Sequence, residues 1–261
     1  MRWLIPVVAM VLGCGGSLAV PQPQVACGPS NCRGCCSSSG ACVEGTSNQQ
    51  CGLGGEACLS CGTGRLCVAG VCGVEPLPVG AKLVFVTRST FVGSFGSVEQ
   101  ADSLCMAAAA AGNLPGTFKA WVSANGYDAA RQMRRVINAS ERLTSNGPWY
   151  LPGVDTAGRR IQIFANRSAL RAAPLKPIDR TETLEDVSAT GRNVWTGTLS
   201  TGLGRQTSSS FSSGTCNDWG SGANSFSDDG IVGTVYGKAG DWTEFDTRPC
   251  SNRFSLYCFE D

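Results

Sequence analysis

The residues best suited to covalent or metal chemistry in this 261-residue chain are its fifteen cysteines, and histidine is absent altogether. Without an imidazole there is no general base for a Ser-His-Asp triad or a Cys-His pair. The three-histidine zinc sites and two-histidine iron sites are excluded for the same reason. The composition therefore removes the commonest hydrolase and metalloenzyme centres before any element of structure is considered.

Pairs of carboxylates are the remaining candidates for acid–base catalysis. Glu182 lies near Glu185 and Asp186, and Glu244 lies near Asp246. A glycosidase needs only two carboxylates, but pairs of this kind occur in any chain with twenty acidic residues. We therefore expect no catalytic residues, and a carbohydrate-active enzyme is the least favoured of our functional hypotheses.

Arginine is the most informative charged residue, although the formal net charge of the chain is only +1. The net charge is +6 between Arg131 and Arg205 and −5 from Gln206 to Asp261. A guanidinium group offers a planar set of donors to sulfate, phosphate or carboxylate. The candidate ligand-binding residues are Arg131, Arg134, Arg135, Arg159 and Arg160. Pairing of these arginines with the acidic C-terminal segment, or exposure to solvent, is the alternative.

Nucleic acid is not an expected partner, because the chain is nearly neutral and aromatic residues do not alternate with the arginines. We also expect no cofactor. The one weak candidate for a metal site is calcium at Asp228 and Asp229, since carboxylates and loop carbonyls suit this ion. A solvated turn explains the same two residues.

Residues 1–13 have the features of an export signal. Arg2 precedes an apolar run of about ten residues, which is too short to span a bilayer. The segment Val11-Leu12-Gly13-Cys14 resembles a bacterial lipobox, and this implies that Cys14 receives lipid. Gly15 in the next position implies sorting to the outer membrane, and we expect the protein to be exposed at the cell surface. An ordinary signal peptide, in which Cys14 is incidental, is the alternative.

Residues 14–26 contain prolines and small residues and are expected to form a flexible tether. The cysteine-rich segment 27–72 has too few large apolar residues for a core of its own, so disulfides must stabilise it. A repeated pattern predicts two small disulfide units with undetermined pairing. Zinc binding by the C-x-x-C pairs is a weaker alternative. The ten cysteines are Cys27, Cys32, Cys35, Cys36, Cys42, Cys51, Cys58, Cys61, Cys67 and Cys72.

Residues 73–80 contain two prolines and form a linker, and residues 81–261 have the composition of a packed domain. Strands are predicted at Lys82–Thr87 and Phe118–Ser123. Between them, a helix begins at a Ser97 cap and ends at Gly112. Later residues predict a short helix at 128–137 and short strands at 160–165, 193–198, 231–236, 241–245 and 254–259. This order of elements indicates an α+β domain.

Four cysteines of this domain permit three disulfide pairings. The first helix carries Cys105 and the last strand carries Cys258. We favour a bond between these two, with Cys216–Cys250 nested inside it. The outer bond would close a loop of about 150 residues, for which the chain-entropy model gives on the order of 4–5 kcal/mol.

Several short motifs carry a resemblance to a known family. The pieces KLVFVT, LPGTFKAW, VWTGT, TCNDW and LYCFE follow one another between Lys82 and Glu260. This series resembles the C-type-lectin-like fold, and within it the bacterial endostatin-like domain of leptospiral outer-membrane lipoproteins. The resemblance implies a surface protein, of which some relatives bind extracellular-matrix or plasma proteins. It does not extend to the cysteine-rich segment, and the calcium-binding motifs of sugar-binding lectins are absent.

The sequence therefore favours a non-catalytic adhesion protein, anchored to the membrane through its N-terminal lipid alone. The expected partner of the C-terminal domain is an extracellular or cell-surface protein, of the matrix type, or an anionic glycan. A structural envelope lipoprotein that binds no soluble ligand is the alternative.

Overall fold

The computed structural model describes residues 26–128, 133–205, 214–220, 229–237 and 239–261. These residues form a small cysteine-rich module followed by a larger α+β domain rich in strands. Within these ranges, no helix has the length and apolar character needed to cross a membrane. The lipobox and tether predicted before residue 26 lie outside the described residues.

The cysteine-rich module consists of three two-stranded hairpins, and all ten of its cysteines are in disulfides. The hairpins pair β1 (Cys35–Cys36) with β2 (Cys42–Val43), β3 (Thr46–Ser47) with β4 (Gln50–Cys51), and β5 (Leu66–Val68) with β6 (Val71–Gly73). The bonds are Cys27–Cys36, Cys32–Cys42, Cys35–Cys58, Cys51–Cys67 and Cys61–Cys72. Because Cys35–Cys58 joins the two sequence repeats, they form one cross-linked unit and not two separate ones.

The C-terminal domain is built from eleven strands and one long helix within the described residues. Its elements are β7 (Lys82–Val86), β8 (Phe91–Val92), α1 (Val98–Ala111), β9 (Phe118–Ala120), β10 (Ala124–Asp128), β11 (Met133–Ile137), α2 (Ala139–Arg142), β12 (Trp149–Tyr150), β13 (Gln162–Phe164), β14 (Asn193–Trp195), β15 (Asp229–Thr234), β16 (Asp246–Pro249) and β17 (Arg253–Glu260). Single turns of 3₁₀-helix occupy Arg167–Arg171 and Ser188–Thr190.

The main sheet has the strand order β13-β12-β7-β17-β14-β15-β16, with β8 and β9 also paired to β17. The central strands β7 and β17 are antiparallel neighbours and are buried on both faces, which explains their nearly continuous apolar sequences. Leu83 and Phe85 face one core, together with α1, whereas Val84 and Val86 face a second core rich in aromatic residues. The sheet therefore separates two hydrophobic layers.

Helix α1 is held against the first of these cores in the way that its sequence predicts. The Ser97 hydroxyl accepts a hydrogen bond from the backbone N–H of Gln100, and Gly112 follows the last helical residue. Val98, Ala101 and Cys105 are buried on one face. Cys105 bonds to Cys258 of β17, and a second disulfide joins Cys216 to Cys250 inside that loop.

Two of the predicted elements are wrong. Residues 124–128 and 133–137 pair as β10 and β11 in five registered pairs, so the helix expected at 128–137 is absent from its described residues. Pairing between strands outweighs the weak helical spacing of this segment. Residues 241–245 form a turn, and β16 begins only at Asp246. Trp242 suggested a strand, but its indole lies in the aromatic core and its backbone packs against Gly233 and Gly237.

The cysteine-rich module and the linker that follows it contact the C-terminal domain at the turn that precedes β13. The N–H of Gly64 donates to the carbonyl of Thr156, and the N–H of Glu75 donates to the carbonyl of Gly158, both at 3.0 Å. Gly158 has a φ of +80°, and a Cβ at this position would lie 3.0 Å from the backbone of Arg65. Both the backbone conformation and the close approach of the segment at Arg65 therefore favour glycine here.

Candidate ligand-binding groove

A groove of about 500 Å³ lies on the C-terminal domain between the start of β13 and the segment 175–180. Its apolar surface comes from Leu151, Ile161, Leu175 and Pro177. Leu175 is held at the edge of the sheet because its N–H donates to the carbonyl of Ile163. The side chain of this leucine is nevertheless 61% exposed. The groove thus combines a volume typical of ligand sites with apolar surface that a ligand could cover.

Arg160 lines this groove and is oriented by backbone carbonyls. Its Nε donates to the carbonyl of Glu75 at 2.7 Å, and its Nη1 donates to the carbonyl of Gly153 at 2.9 Å. The carboxylate of Glu75 accepts a bond from the backbone N–H of Arg160 and not from the guanidinium group. Among the described residues, no carboxylate forms an ion pair with this guanidinium group. Its charge is therefore fixed in position without being neutralised.

Lys176 also lines the groove and is exposed. In the part of the chain that the structure describes, its ammonium group has no ion-pair partner. Arg180 differs, because its guanidinium group lies against Asp186 and 3.7 Å from Asp179. Two of the three cations of the groove are thus available to an anionic ligand, and the third is compensated within the protein.

The two acidic residues that line the groove have pKa values displaced in opposite directions. Burial raises the pKa of Asp179, against the effect of Arg180, and Asp186 adds to the increase. The pKa of Asp155 is lowered, chiefly because its carboxylate accepts a hydrogen bond from the backbone N–H of Arg159. Asp155 also accepts from the N–H of Ala157 and pairs with the Arg159 side chain at 3.6 Å. The carboxylate of Asp155 therefore makes its hydrogen bonds within its own turn.

The five arginines proposed from the sequence do not form one described patch. Arg160 lines the groove, and Arg159 is exposed on the adjacent turn, where it pairs with Asp155. Arg131 lies outside the described residues. Arg134 and Arg135 belong to β11, and their side chains are also outside the description. The short helix predicted at 128–137 is absent from its described residues, which pair as β10 and β11.

Arg142 makes contacts that stabilise the fold. Its guanidinium group is 11% exposed and binds both carboxylate oxygens of Asp102 at 2.6 Å. It also donates to the carbonyl of Ala120 at 2.7 Å. A second cavity, of about 390 Å³, contains Arg167 and Arg171 beside Glu141. Since Glu141 lies 4.0 Å from Arg171 and its carbonyl accepts from Arg167, this cavity offers less uncompensated charge than the groove.

The carboxylate pairs considered as catalytic residues have contacts that stabilise the fold. Glu182 is 5% exposed and accepts from the backbone N–H of Arg88. Glu185 pairs with the Arg88 side chain, and Asp186 pairs with Arg180. Glu244 accepts from the N–H of Ser200. None of these carboxylates lines either of the two cavities given above.

The calcium candidates are only partly described. Asp229 begins β15, opposite Pro249, and Asp228 lies outside the described residues. Among the described residues, the groups of three possible metal ligands consist of cysteines whose sulfur atoms are in disulfides, so they are not thiolate ligands. These groups are Cys27, Cys32 and Cys36, and Cys51, Cys61 and Cys72.

The TCNDW segment forms a left-handed turn. Residues Cys216 to Trp219 all have positive φ angles, between 50° and 67°. Such a run costs about 1–2 kcal/mol for each non-glycine residue, and the surrounding contacts must outweigh that cost. Cys216 is fixed by its disulfide, and the Trp219 ring stacks on Phe95 with centroids 4.6 Å apart. The indole N–H of Trp219 also donates to the carbonyl of Ser123.

Comparison with models of known protein families gives no match, and a search of curated proteins gives no significant match. Of the residues that line the groove, Arg160 was a candidate from the sequence, whereas Leu175, Lys176, Asp179 and Arg180 were not. The segment 172–187 has no helix or strand periodicity, because it covers the sheet edge as irregular chain. The only local signal is a lysine between a leucine and a proline, which is too common to indicate a site.

Proposed function

We propose that this chain is a non-catalytic binding protein, lipid-anchored at the cell surface through Cys14, whose C-terminal domain recognises an extracellular protein or an anionic glycan. The observation that carries the proposal is the groove beside β13. It combines apolar surface with two cations, Arg160 and Lys176, that have no ion-pair partner among the described residues. A cation is costly to bury without a counter-ion, so a partner that covers these two groups should be anionic.

The finer fold that we propose for residues 81–261 is endostatin-like and C-type-lectin-like. Three features support it. The first and last strands of the domain, β7 and β17, are antiparallel neighbours. Cys105 joins the first helix to the last strand, and the disulfide Cys216–Cys250 is nested inside that bond. Three of the motifs that carry the resemblance, KLVFVT, TCNDW and LYCFE, lie at these same elements.

The lipid anchor is tested by replacing Cys14, the residue that would accept the lipid. In a Gram-negative expression host fed with labelled palmitate, the full chain is expected to incorporate label and to fractionate with the outer membrane. Cys14→Ala removes the acceptor sulfur, so labelling should disappear and the protein should no longer fractionate with the outer membrane. Equal labelling of the two chains would refute lipidation at Cys14.

The binding function is tested on solid phase with the full chain. Immobilised matrix proteins and sulfated glycans are probed with the parent, with Lys176→Glu, and with Arg33→Glu as a control in the cysteine-rich module. We expect saturable binding to at least one immobilised partner, lowered by the charge reversal at Lys176 and retained by the control. Absence of binding to the whole panel would refute this function and favour a structural envelope lipoprotein, which crosslinking in intact cells would then identify.

A carbohydrate-active enzyme remains the least favoured candidate, and one observation favours it. Asp155 and Asp179 line the same groove with pKa values displaced in opposite directions, as in pairs that divide acid and base roles. The engagement of Asp155 in its own turn opposes this function. Release of reducing ends from dye-labelled polysaccharides, abolished by Asp179→Asn, would establish the enzyme and overturn the non-catalytic proposal.

A further inference from the structure

We infer that the groove beside β13 binds an acidic peptide segment of a partner protein, with aliphatic side chains next to its carboxylates. The inference rests on the proposed function, because it specifies the partner chemistry of the same site. It requires that the groove offer two things at once, namely cations for the carboxylates and apolar surface for the aliphatic groups. The described residues provide both.

The cationic part of the groove is arranged before any ligand binds. Two backbone carbonyls, of Glu75 and Gly153, hold the Nε and Nη1 groups of Arg160. Within the described ranges, its Nη2 group donates to nothing and remains for a carboxylate oxygen. A guanidinium group that is already oriented loses little conformational entropy when it binds a carboxylate. Lys176 adds a second, more mobile cation in the same groove.

The apolar part of the groove favours a peptide over a glycan. The side chains of Ile161, Leu175 and Pro177 are aliphatic, and none of the groove's lining residues is aromatic. Sugar rings bind characteristically by stacking on aromatic faces and by hydrogen bonds to planar amides and acids. Here the amide and acid side chains of the lining are Gln162, Asp155 and Asp179, and Asp155 is already engaged in its own turn. Leucine or isoleucine side chains of a peptide match this surface better than a sulfated sugar does.

The acidic residues of the groove limit where the ligand carboxylates can bind. Asp179 and Asp186 surround Arg180, so a carboxylate would be repelled there. Asp155 is directed to its own turn and to Arg159. A ligand carboxylate is therefore directed to Arg160 and Lys176. This predicts that one or two acidic residues of the peptide suffice and that a uniformly charged polymer is not required.

The test measures fluorescence anisotropy of a labelled peptide of three leucine–glutamate pairs titrated with the full chain. Two matched peptides carry glutamine in place of glutamate, or serine in place of leucine. We expect each of these to bind about tenfold more weakly than the parent peptide. Lys176→Met should weaken binding of the parent peptide about fivefold, and Leu175→Ser should do the same or more.

Matched controls separate the groove from general surface effects. Arg33→Met removes an exposed cation of the cysteine-rich module, and Leu59→Ser removes a leucine that is 64% exposed, close to the 61% of Leu175. Both controls should bind the peptide as the parent does. Equal affinity of the glutamate and glutamine peptides, or unchanged affinity of the Lys176 and Leu175 variants, would overturn the inference.

A heparin-derived hexasaccharide provides the competing arm. If it binds with higher affinity than the peptide, and if Lys176→Met weakens it, the site is a glycan site and the peptide inference is wrong. Binding of the chain to immobilised matrix proteins, without any peptide binding in the groove, would overturn this inference and leave the proposed function in place. Failure of both assays would refute both proposals.

Discussion

Arg142 is the residue whose removal tests the reasoning about charge most directly. Its guanidinium group, 11% exposed, binds Asp102 and the carbonyl of Ala120, and so connects α2 to α1 and β9. Arg142→Met retains most of the packing but leaves the Asp102 carboxylate with the N–H of Ala120 as its remaining donor. Breaking a buried ion pair costs about 3–5 kcal/mol. Because Asp102 is 25% exposed, we expect the lower end, about 3 kcal/mol.

The assay is urea unfolding of the full chain, followed by tryptophan fluorescence, with thermal unfolding as a second measurement. A loss of about 3 kcal/mol corresponds to a decrease in Tm of roughly 6–12 °C for a domain of this size. Arg171→Met is the matched control, since Arg171 is 55% exposed and lies 4.0 Å from Glu141. Surface pairs of this kind contribute less than about 1 kcal/mol.

A double replacement separates the ion pair from the packing. In Arg142→Met combined with Asp102→Asn, the uncompensated charge is gone, so the loss of stability should be smaller than the sum of the single losses. If Arg142→Met proves no more destabilising than Arg171→Met, the burial argument fails. Arg142 would then contribute no more to stability than the exposed Arg171 does.

Three further predictions concern the disulfides, the acid stability and the junction. Replacing Cys105 and Cys258 by alanine should lower the free energy of unfolding by about 5 kcal/mol, whereas replacing Cys216 and Cys250 should lower it by about 4 kcal/mol, because the outer loop is longer. A larger loss for the Cys216–Cys250 bond in chemical unfolding would contradict this order. Burial opposes ionisation of Asp261, but hydrogen bonds led by Lys119 outweigh it and lower its pKa to about 2. The stabilisation that ionised Asp261 provides is therefore present above pH 4 and lost as the pH falls toward 2. Asp261→Asn should make the free energy of unfolding depend less on pH in this range. An unchanged pH profile would contradict this role of Asp261. Gly158→Ala should speed proteolysis of the linker 73–80, and equal cleavage rates would show that the junction tolerates a Cβ.

The elements of the C-terminal domain that the sequence predicted best are those buried on two faces. KLVFVT and FSLYCF are apolar at consecutive positions because each strand contacts both cores, and this signal does not depend on distant partners. Helix α1 was also predictable, since Ser97 and Gly112 delimit it locally. The β10–β11 pairing was not, because the sequence of residues 128–137 predicted a short helix and only pairing between strands decides against it.

The groove could be predicted only in part, because it is assembled from segments without periodicity. Arg160 was selected from its charge, but its orientation depends on the carbonyl of Glu75, in the linker before the domain. Arg142 has the same charge and the same residue type, yet it is buried against Asp102. Nothing in the local sequence distinguishes these two arginines, since the difference arises from which distant carbonyl or carboxylate lies beside each.

The connectivity of the cysteine-rich module has a mechanical consequence. A force applied between its ends passes from Cys27 to Cys36, then through Cys35 to Cys58, and finally through Cys61 to Cys72. This covalent path limits the end-to-end extension to about 30 Å, whereas an unbridged chain of the same residues would reach about 160 Å. Under tension the module therefore behaves as a nearly inextensible link. A force applied to a bound partner would be transmitted to the N-terminal side of the module with little extension of the module.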